Sequence, residues 1–365
     1  MNRSGVAPFE VEALCADRPV NVLVEACDNA TIEETPVSRP RRIFQAESAF
    51  PRSNAINPGF ERREVTSGAP VGLERRVKEH AKALLPDMFF LLLLHRREVG
   101  RFPNLIKPRT FNERILRRNL KPDPRYAPLT DKLAVREYVG RSLGEEFLVP
   151  LIAAPTEFTR AVFDSLPDSF VMKANHGSTF VEIVRDKSKD SYERLHHLAV
   201  QWLSTDFYQV ARERHYRDIE PRLFFETLLL DRNGQVPADY KVHCFRRKME
   251  RPVMYIVQIS DRFGQHPRGD VYDVDWNHLD VTIGEYARSA TPGAPPGNLD
   301  AVLEAAAKLS DGFDYVRVDL YAPDNALYFG ELTFTPGAGV VPMFPDRVDF
   351  EWGELLTPSK INGSA

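Results

Sequence analysis

Asp319 and Glu331 carry the strongest chemical signal in this chain. They lie in two stretches rich in β-branched and aromatic residues, Tyr315-Val316-Arg317-Val318-Asp319-Leu320-Tyr321 and Leu327-Tyr328-Phe329-Gly330-Glu331-Leu332-Thr333, joined through Pro323-Asp324-Asn325-Ala326. That is the pattern of a β-hairpin. With the turn centred near Asn325, Arg317 comes opposite Thr333, Asp319 opposite Glu331 and Tyr321 opposite Phe329. Side chains alternate along a strand, so Arg317, Asp319, Glu331 and Thr333 share one face. Like charges directly opposed destabilise a sheet, and at about 5 Å and an effective dielectric of about 20 the repulsion is about 3 kcal/mol. The pair calls for a cation. Arg317 supplies part of that charge, and a divalent metal ion fits the remainder. A solvated hairpin face with scattered charges is the bland alternative.

Four further constellations could carry chemistry. Phe170-Val171-Met172-Lys173 is an apolar run ending in lysine, followed by Asn175-His176-Gly177-Ser178-Thr179. An ammonium and the N–H groups of a small-residue loop can surround phosphates, although no Walker A sequence is present. Read by itself, Lys173 is an ordinary strand end and His176 a turn residue. Glu226 closes the run Arg222-Leu223-Phe224-Phe225-Glu226, where it could accept from an adenine amino group or a ribose, or pair with a cation. In Asp239-Tyr240-Lys241 a charged pair brackets the start of another apolar strand. Asp273-Val274-Asp275, before Trp276, has the acidic spacing with which many glycosyltransferases hold a metal and a nucleotide sugar.

The elements that must position these residues follow from periodicity and punctuation. Helical patterns run over 74–85, 88–98, 110–120 and 131–139, with a capping box at Thr110-Phe111-Asn112-Glu113 and Thr130-Asp131 before the last. Strands are expected at 148–152, 170–173, 180–184, 222–230, 240–245 and 253–260, with helices at 157–166 and 191–207. The amphipathic helix 299–309 stops at Gly312. Antiparallel strands with helices between them define an α+β layout. Residues 1–70, with Pro- and Arg-rich pieces such as Ser38-Arg39-Pro40-Arg41-Arg42, read as a flexible arm, and 71–145 as a helical region.

Composition narrows the classes. The 365 residues carry 48 Lys plus Arg against 52 Asp plus Glu, a net charge of −4, so no domain-wide basic excess points to nucleic acid. Cys15, Cys27 and Cys244 are too few and scattered for a disulfide framework or zinc site, as expected in a reducing cytoplasm. Glu10 and Glu12 interrupt any secretory signal. The longest apolar run, Met88-Phe89-Phe90-Leu91-Leu92-Leu93-Leu94, is far short of the roughly 18 residues of a span. It reads as a buried helix segment, with His95-Arg96-Arg97 making it a candidate peripheral membrane contact.

In order, Arg-x-Asp, Glu-x-Thr and Pro-Gly (Pro336-Gly337) at the C-terminal end, a lysine-ending strand upstream and a glutamate-ending strand between resemble the ATP-grasp superfamily. The set is most similar to the teichuronopeptide-biosynthesis, or TupA-like, type. The resemblance runs from Lys107-Pro108-Arg109-Thr110-Phe111-Asn112-Glu113 through Asp131-Lys132-Leu133-Ala134-Val135-Arg136, the Lys173 strand and its loop, Glu226, Asp239-Tyr240-Lys241 and Asp261-Arg262 to Glu331, roughly 86–352.

The resemblance implies an ATP-grasp domain over 146–356, with subdomains at about 146–220 and 221–356 clasping ATP. It places Lys132 and Lys173 on phosphates beside His176, Gly177 and Ser178, and Glu226 with Leu228 and Leu229 at an adenine-side hinge. Asp239 would reach the ribose, with Lys241 and Arg262 among the nucleotide contacts. Asp319, Glu331 and Thr333 would hold Mg²⁺, and Arg317, with Lys173, would act on the reacting group. Thr179 stands where a second glycine is frequent, and Thr333 where many ATP-grasp enzymes have asparagine. The implied activity is amide-bond formation between a carboxylate and an amine through an acyl phosphate, in the cytoplasm, in cell-surface polysaccharide or teichuronopeptide-like biosynthesis beside membrane-associated assembly machinery. A peptide ligase of secondary metabolism and a glycosyltransferase acting through Asp273 and Asp275 are the alternatives.

Overall fold

The computed structural model describes residues 86–246, 251–262 and 266–356. The arm expected over 1–70, the helix expected over 74–85, and Cys15 and Cys27 lie outside them.

Helix α1 (Asp87–Glu98) packs Leu91 against Leu116 and Ala338. Helix α2 (Phe111–Leu120) opens with the expected capping box: Thr110 Oγ1 accepts from the Glu113 N–H, and the Glu113 carboxylate accepts from the Thr110 N–H. The helix expected over 131–139 is broken. Helices α3 (Tyr126–Thr130) and α4 (Val135–Ser142) flank a turn in which Asp131 Oδ1 accepts from the Leu133 and Ala134 N–H groups. A short acidic side chain that takes backbone donors competes with a helix for them, and this leaves Lys132 on the turn.

The first sheet contains β1 (Leu151–Ala153), β2 (Phe170–Ala174), β3 (Val181–Val184) and β4 (Leu223–Glu226), in the order β1-β4-β2-β3 and antiparallel throughout. Helices α5 (Arg160–Ser165) and α6 (Tyr192–Leu203) bury Phe163, Leu195 and Ala199 against Phe170, Met172, Leu223 and Phe225. A separate short helix, α7 (Phe207–Ala211), ends at Arg212 in a left-handed conformation, so the stretch 191–207 is not one helix. Strand β4 belongs to this first sheet, although a boundary near 221 would assign it to the second half of the chain.

The second sheet is built from β5 (Asp239–Phe245), β6 (Val253–Ser260), β7 (Arg268–Tyr272), β9 (Tyr315–Tyr321) and β10 (Tyr328–Thr333), in the order β10-β9-β5-β6-β7. Two short strands, β8 (Thr282–Ile283) and β11 (Met343–Phe344), pair separately. Strand β7 has no clear sequence signal, since Gly269 and Asp270 are poor strand formers; pairing with β6 imposes its conformation. One face of the five-stranded sheet buries Val242, Cys244, Val316, Val318 and Leu320 under Val302, Ala306 and Leu309 of α8 (Leu299–Leu309). On the other face α2 and α9 (Arg347–Leu355) cover Phe245, Val257 and Tyr315 with Phe111, Ile115 and Trp352. The charged end of that face, around Lys241 and Asp319, is left to the site.

Candidate active site

The hairpin of β9 and β10 forms in the expected register at its chemical end: Arg317 pairs with Thr333 and Asp319 with Glu331. Nearer the turn it differs. Tyr321 faces Tyr328 and Leu320 faces Phe329, because the register shifts between Phe329 and Glu331. The added residue is Gly330, where a Cβ would lie 3.0 Å from the Asp319 carbonyl oxygen.

Strand β5 completes the arrangement. Lys241 pairs with Asp319, and His243 with Arg317. The alternation that sends Val316, Val318 and Leu320 under α8 therefore lines up Lys241–Asp319–Glu331 and His243–Arg317–Thr333 as two cross-strand rows. Arg317 Nε donates to Asp319 Oδ1 at 2.6 Å, and its Nη2 donates to Asp319 Oδ2 and Glu331 Oε1, each at 2.8 Å. Lys241 Nζ lies 2.5 Å from Asp319 Oδ2. Protein cations thus relieve the repulsion that the sequence implied. Burial raises the Asp319 carboxyl, against the pull of Arg317 and Lys241 and with the push of Asp239 and Glu331. Burial would also raise Glu331, but Lys132, Arg317, Lys241 and Arg262 hold it well below the usual carboxylate range. Burial, reinforced by Arg317 and Lys241, holds the His243 imidazole well below its ordinary value.

Two of the expected site residues are held by other side chains beside these rows. Asp239, expected at a ribose, is sealed in: its side chain is 2% exposed and its Oδ2 takes Lys241 Nζ at 2.7 Å and Arg262 Nη1 at 2.5 Å. Lys241 and Arg262 keep more exposure, 15% and 35%, and form the outer side of that group. Thr333 Oγ1 donates to Glu331 Oε1 at 3.1 Å, so its hydroxyl orients that acid in this arrangement.

The opposing wall comes from the first sheet. Lys132 Nζ donates to the Gly177 carbonyl at 2.7 Å and stands 3.5 Å from Glu331 Oε2. One ammonium thereby joins the loop after β2 to the acid row on β10. Lys173 Nζ donates to Glu226 Oε2 at 2.6 Å, and Arg136 Nη1 donates to Glu226 Oε1 at 3.1 Å. Both Glu226 oxygens are therefore occupied, and the carboxylate expected at the adenine side is an ion-pair partner here. Leu228, just past β4, is half-buried. His176 does not face the site: it is buried, its Nε2 lies 3.1 Å from the Trp202 carbonyl, and it packs on Phe180. At Gly177 a Cβ would come within 2.7 Å of Phe180 and 2.8 Å of Phe207, so packing requires this glycine. Thr179 is exposed at φ 69°, the left-handed region in which glycine is unstrained. Ser178, beside it, is half-buried.

Asp273 is a turn residue. Its Oδ1 accepts from the Asp275 and Asn277 N–H groups and its Oδ2 from Asn277 Nδ2, which is how an aspartate closes a loop. Other residues matter that pattern reading did not single out. Asn175, fully buried, donates to Asp131 Oδ2 and the Glu220 carbonyl and accepts from the Arg222 N–H, so it ties the Lys132 turn to β2 and β4. Glu213, 7% exposed, accepts from Thr335 Oγ1 at 2.5 Å. Burial pushes its carboxyl up to about 7 despite that bond and the Arg317 charge. It lies in Arg212-Glu213-Arg214-His215, a run that reads as solvated, and nothing local marks it as buried.

Among the described residues no group of three or more His, Cys, Asp or Glu is arranged to hold a metal ion. A two-carboxylate site fits better. Mg²⁺ commonly takes one or two protein carboxylates and completes its shell with phosphate oxygens and water. Glu331 Oε2, which stands 3.5 Å from Lys132 Nζ, suits that role. Asp319 would have to share oxygens already held by Arg317 and Lys241.

Two antiparallel sheets with helices packed on them, linked through Lys132 at the acid row, define the class of an α+β protein, and its fold is ATP-grasp. A family model described as TupA-like ATPgrasp matches residues 112–357, and the chain belongs to that family. Solved structures similar to it include D-alanine–D-alanine ligase from Helicobacter pylori, at 17% identity over 62% of this chain and 60% of that one, TM-score 0.37. The ATP-grasp ligase PsnB complexed with a minimal precursor is similar at 14% identity over 64% and 61%, TM-score 0.35. N5-carboxyaminoimidazole synthetase from Staphylococcus aureus follows at 13% over 56% and 44%, TM-score 0.33. The match thus spans less than two thirds of each of these chains. A comparison with curated proteins found no match.

Proposed function

We propose that this protein is an ATP-dependent carboxylate–amine ligase working on a carboxylate-bearing acceptor of cell-surface polysaccharide or teichuronopeptide type. The supporting observation is the reach of Lys132, 2.7 Å from the Gly177 carbonyl and 3.5 Å from Glu331 Oε2. A triphosphate laid between the sheets would meet Lys132, Lys173 and the loop at Gly177 on one side and the Arg317 row on the other.

The chemistry answers a definite problem. A carboxylate is a poor electrophile, because its charge repels a nucleophile and oxide is a poor leaving group. In the proposed reaction a substrate carboxylate oxygen attacks the γ-phosphorus of ATP, the bond to the bridging oxygen breaks, and ADP leaves. The amine nitrogen then attacks the acyl carbon, the bond to phosphate breaks, and the nitrogen loses a proton. Lys132 and Lys173 orient the phosphates, and Lys173 turns partly from Glu226 to do so. Arg317, bidentate on Asp319, is held rigidly where it can stabilise the oxyanion of the tetrahedral intermediate. Mg²⁺ held by Glu331 and Asp319, when bound, supplies charge neutralisation on the phosphates. The loop around Gly177 excludes water from the hydrolysable acyl phosphate. A cytoplasmic setting is part of this reading, as is work beside membrane-associated assembly machinery.

The test is ADP release over a panel of uronic acids, peptides and amines, with Glu331→Gln as control. Acid- and amine-dependent ADP release by the wild type, and none by the variant, is expected. If no acid–amine pair exceeds the variant, the ligase reading fails. Thermal stabilisation by Mg-UDP-sugar with none by Mg-ATP would favour sugar transfer instead.

A further inference from the structure

Helix α1 is anchored on one side only. Asp87, Leu91 and His95, at helical spacing, are buried. Asp87 pairs with Arg212 at 3.2 Å and with Arg214 at 2.9 Å, and His95 Nδ1 bonds to the Arg101 carbonyl at 2.7 Å. The opposite side carries Met88, Phe89 and Leu93 at 46%, 54% and 55% exposure. At 100° per residue these three fall within one half-turn of arc, which Arg96 and Arg97 continue at the C-terminal end. The chain after the helix exposes Phe102 and Ile106 as well, at 61% and 88%. Thus five of the twelve exposed large apolar side chains among the described residues fall within the short segment 88–106.

The charge of this segment itself has one dominant sign. Residues 86–109 contain Arg96, Arg97, Arg101, Lys107 and Arg109 against Asp87 and Glu98, a local net charge of +3 in a chain of net −4. The Asp87 carboxylate is buried against Arg212 and Arg214 and Arg101 is paired with Asp349, so the outward charge of the segment rests on the exposed Arg96, Arg97, Lys107 and Arg109. An apolar patch rimmed by arginine and lysine suits a surface that is apolar beneath and anionic on top. A protein partner would present pockets of fixed shape, whereas flexible Met, Phe and Leu side chains beside basic residues need only a fluid interface.

We infer that the exposed side of α1, with Phe102 and Ile106, lies on an anionic lipid bilayer, its apolar side chains at the acyl boundary and its arginines at headgroup phosphates. No described helix is long and apolar enough to cross a membrane, so the contact is peripheral. The inference stands on surface chemistry alone, and vesicle binding is measured separately from ADP release, so either reading can fail without the other.

Co-sedimentation of the full chain with phosphatidylcholine vesicles, with and without phosphatidylglycerol, tests it. Binding is expected only to the anionic vesicles, and it should weaken as salt rises. A Phe89→Ser/Leu93→Ser pair should weaken partitioning by roughly tenfold or more, and each of Arg96→Gln and Arg97→Gln by roughly fivefold. These positions are exposed, so the variants should melt with the wild type. Failure of the wild type to sediment with anionic vesicles overturns the inference, as does equal binding by the serine pair. A dimer in light scattering that the serine pair abolishes would assign the face to a second copy of this chain and overturn it equally.

Discussion

Glu213 and His215 stand two residues apart, 7% and 2% exposed, and burial moves them in opposite directions. The carboxyl rises from 4.5 to about 7, and the imidazole falls from 6.5 to about 4. Between these limits the unfolded chain carries a proton on His215 and none on Glu213, and the folded chain carries the reverse. Either displacement alone is worth about 3 kcal/mol by linkage. Together they release almost no net proton on folding between pH 4.5 and 6.5, so their contributions to the pH dependence of stability cancel there. Glu213→Gln keeps an acceptor for Thr335 and removes the raised acid. The neutral His215 then acts alone: stability is full above pH 6.5 and falls by about 3 kcal/mol as pH drops through about 4. In His215→Phe the raised Glu213 acts alone, its contribution present below pH 4.5 and lost as pH rises through about 7. Urea unfolding at constant ionic strength across this range, read as the difference from wild type at each pH, measures both slopes. The slopes, not the absolute stabilities, are diagnostic, because phenylalanine packs differently from histidine. Curves for either variant that run parallel to the wild type would refute the assignment of Glu213 as a neutral acid or of His215 as a neutral base.

Three other outcomes follow from the geometry. Lys132→Met removes the ammonium that stands 3.5 Å from Glu331 Oε2 and should raise KM for ATP about tenfold with little change in melting temperature; an unchanged KM would remove Lys132 from the phosphate site. Gly339→Ala should destabilise by at least about 3 kcal/mol, since φ is 78° and the new Cβ would sit 2.4 Å from the Leu116 nitrogen and 2.6 Å from the Asn112 carbonyl oxygen. A melt within a degree of wild type would contradict that packing. Burial pushes the Cys244 thiol up to about 12, so the peptide carrying it should resist alkylation in the native protein at pH 8 and react in urea; equal rates in both would mean that the site opens readily.

The site was legible where its logic is local. Two arms of alternating residues with a Pro-Asp-Asn turn place Asp319 against Glu331 through strand periodicity alone. The capping box of α2 is equally local, since four consecutive residues satisfy each other's donors. Legibility ended where partners are distant in sequence. The split at 131–134 required knowing that Asp131 would take backbone donors and meet Asn175. The strand Arg268–Tyr272 exists through its neighbour and not through its own residues.

The sequence by itself determined the alternation that separates Val316, Val318 and Leu320 from Arg317 and Asp319, and the ordered set of motifs that marks the family. Both are properties of spacing along the chain. Tertiary structure decided which charges are used up and which remain free to meet a ligand. It closed Asp239 behind Lys241 and Arg262, committed Glu226 to Lys173 and Arg136, and turned His176 away from the site. It also set Lys132 between Gly177 and Glu331. Residue type fixes what a side chain can do; burial and the nearest opposite charge, which only folding brings together, determine what it does.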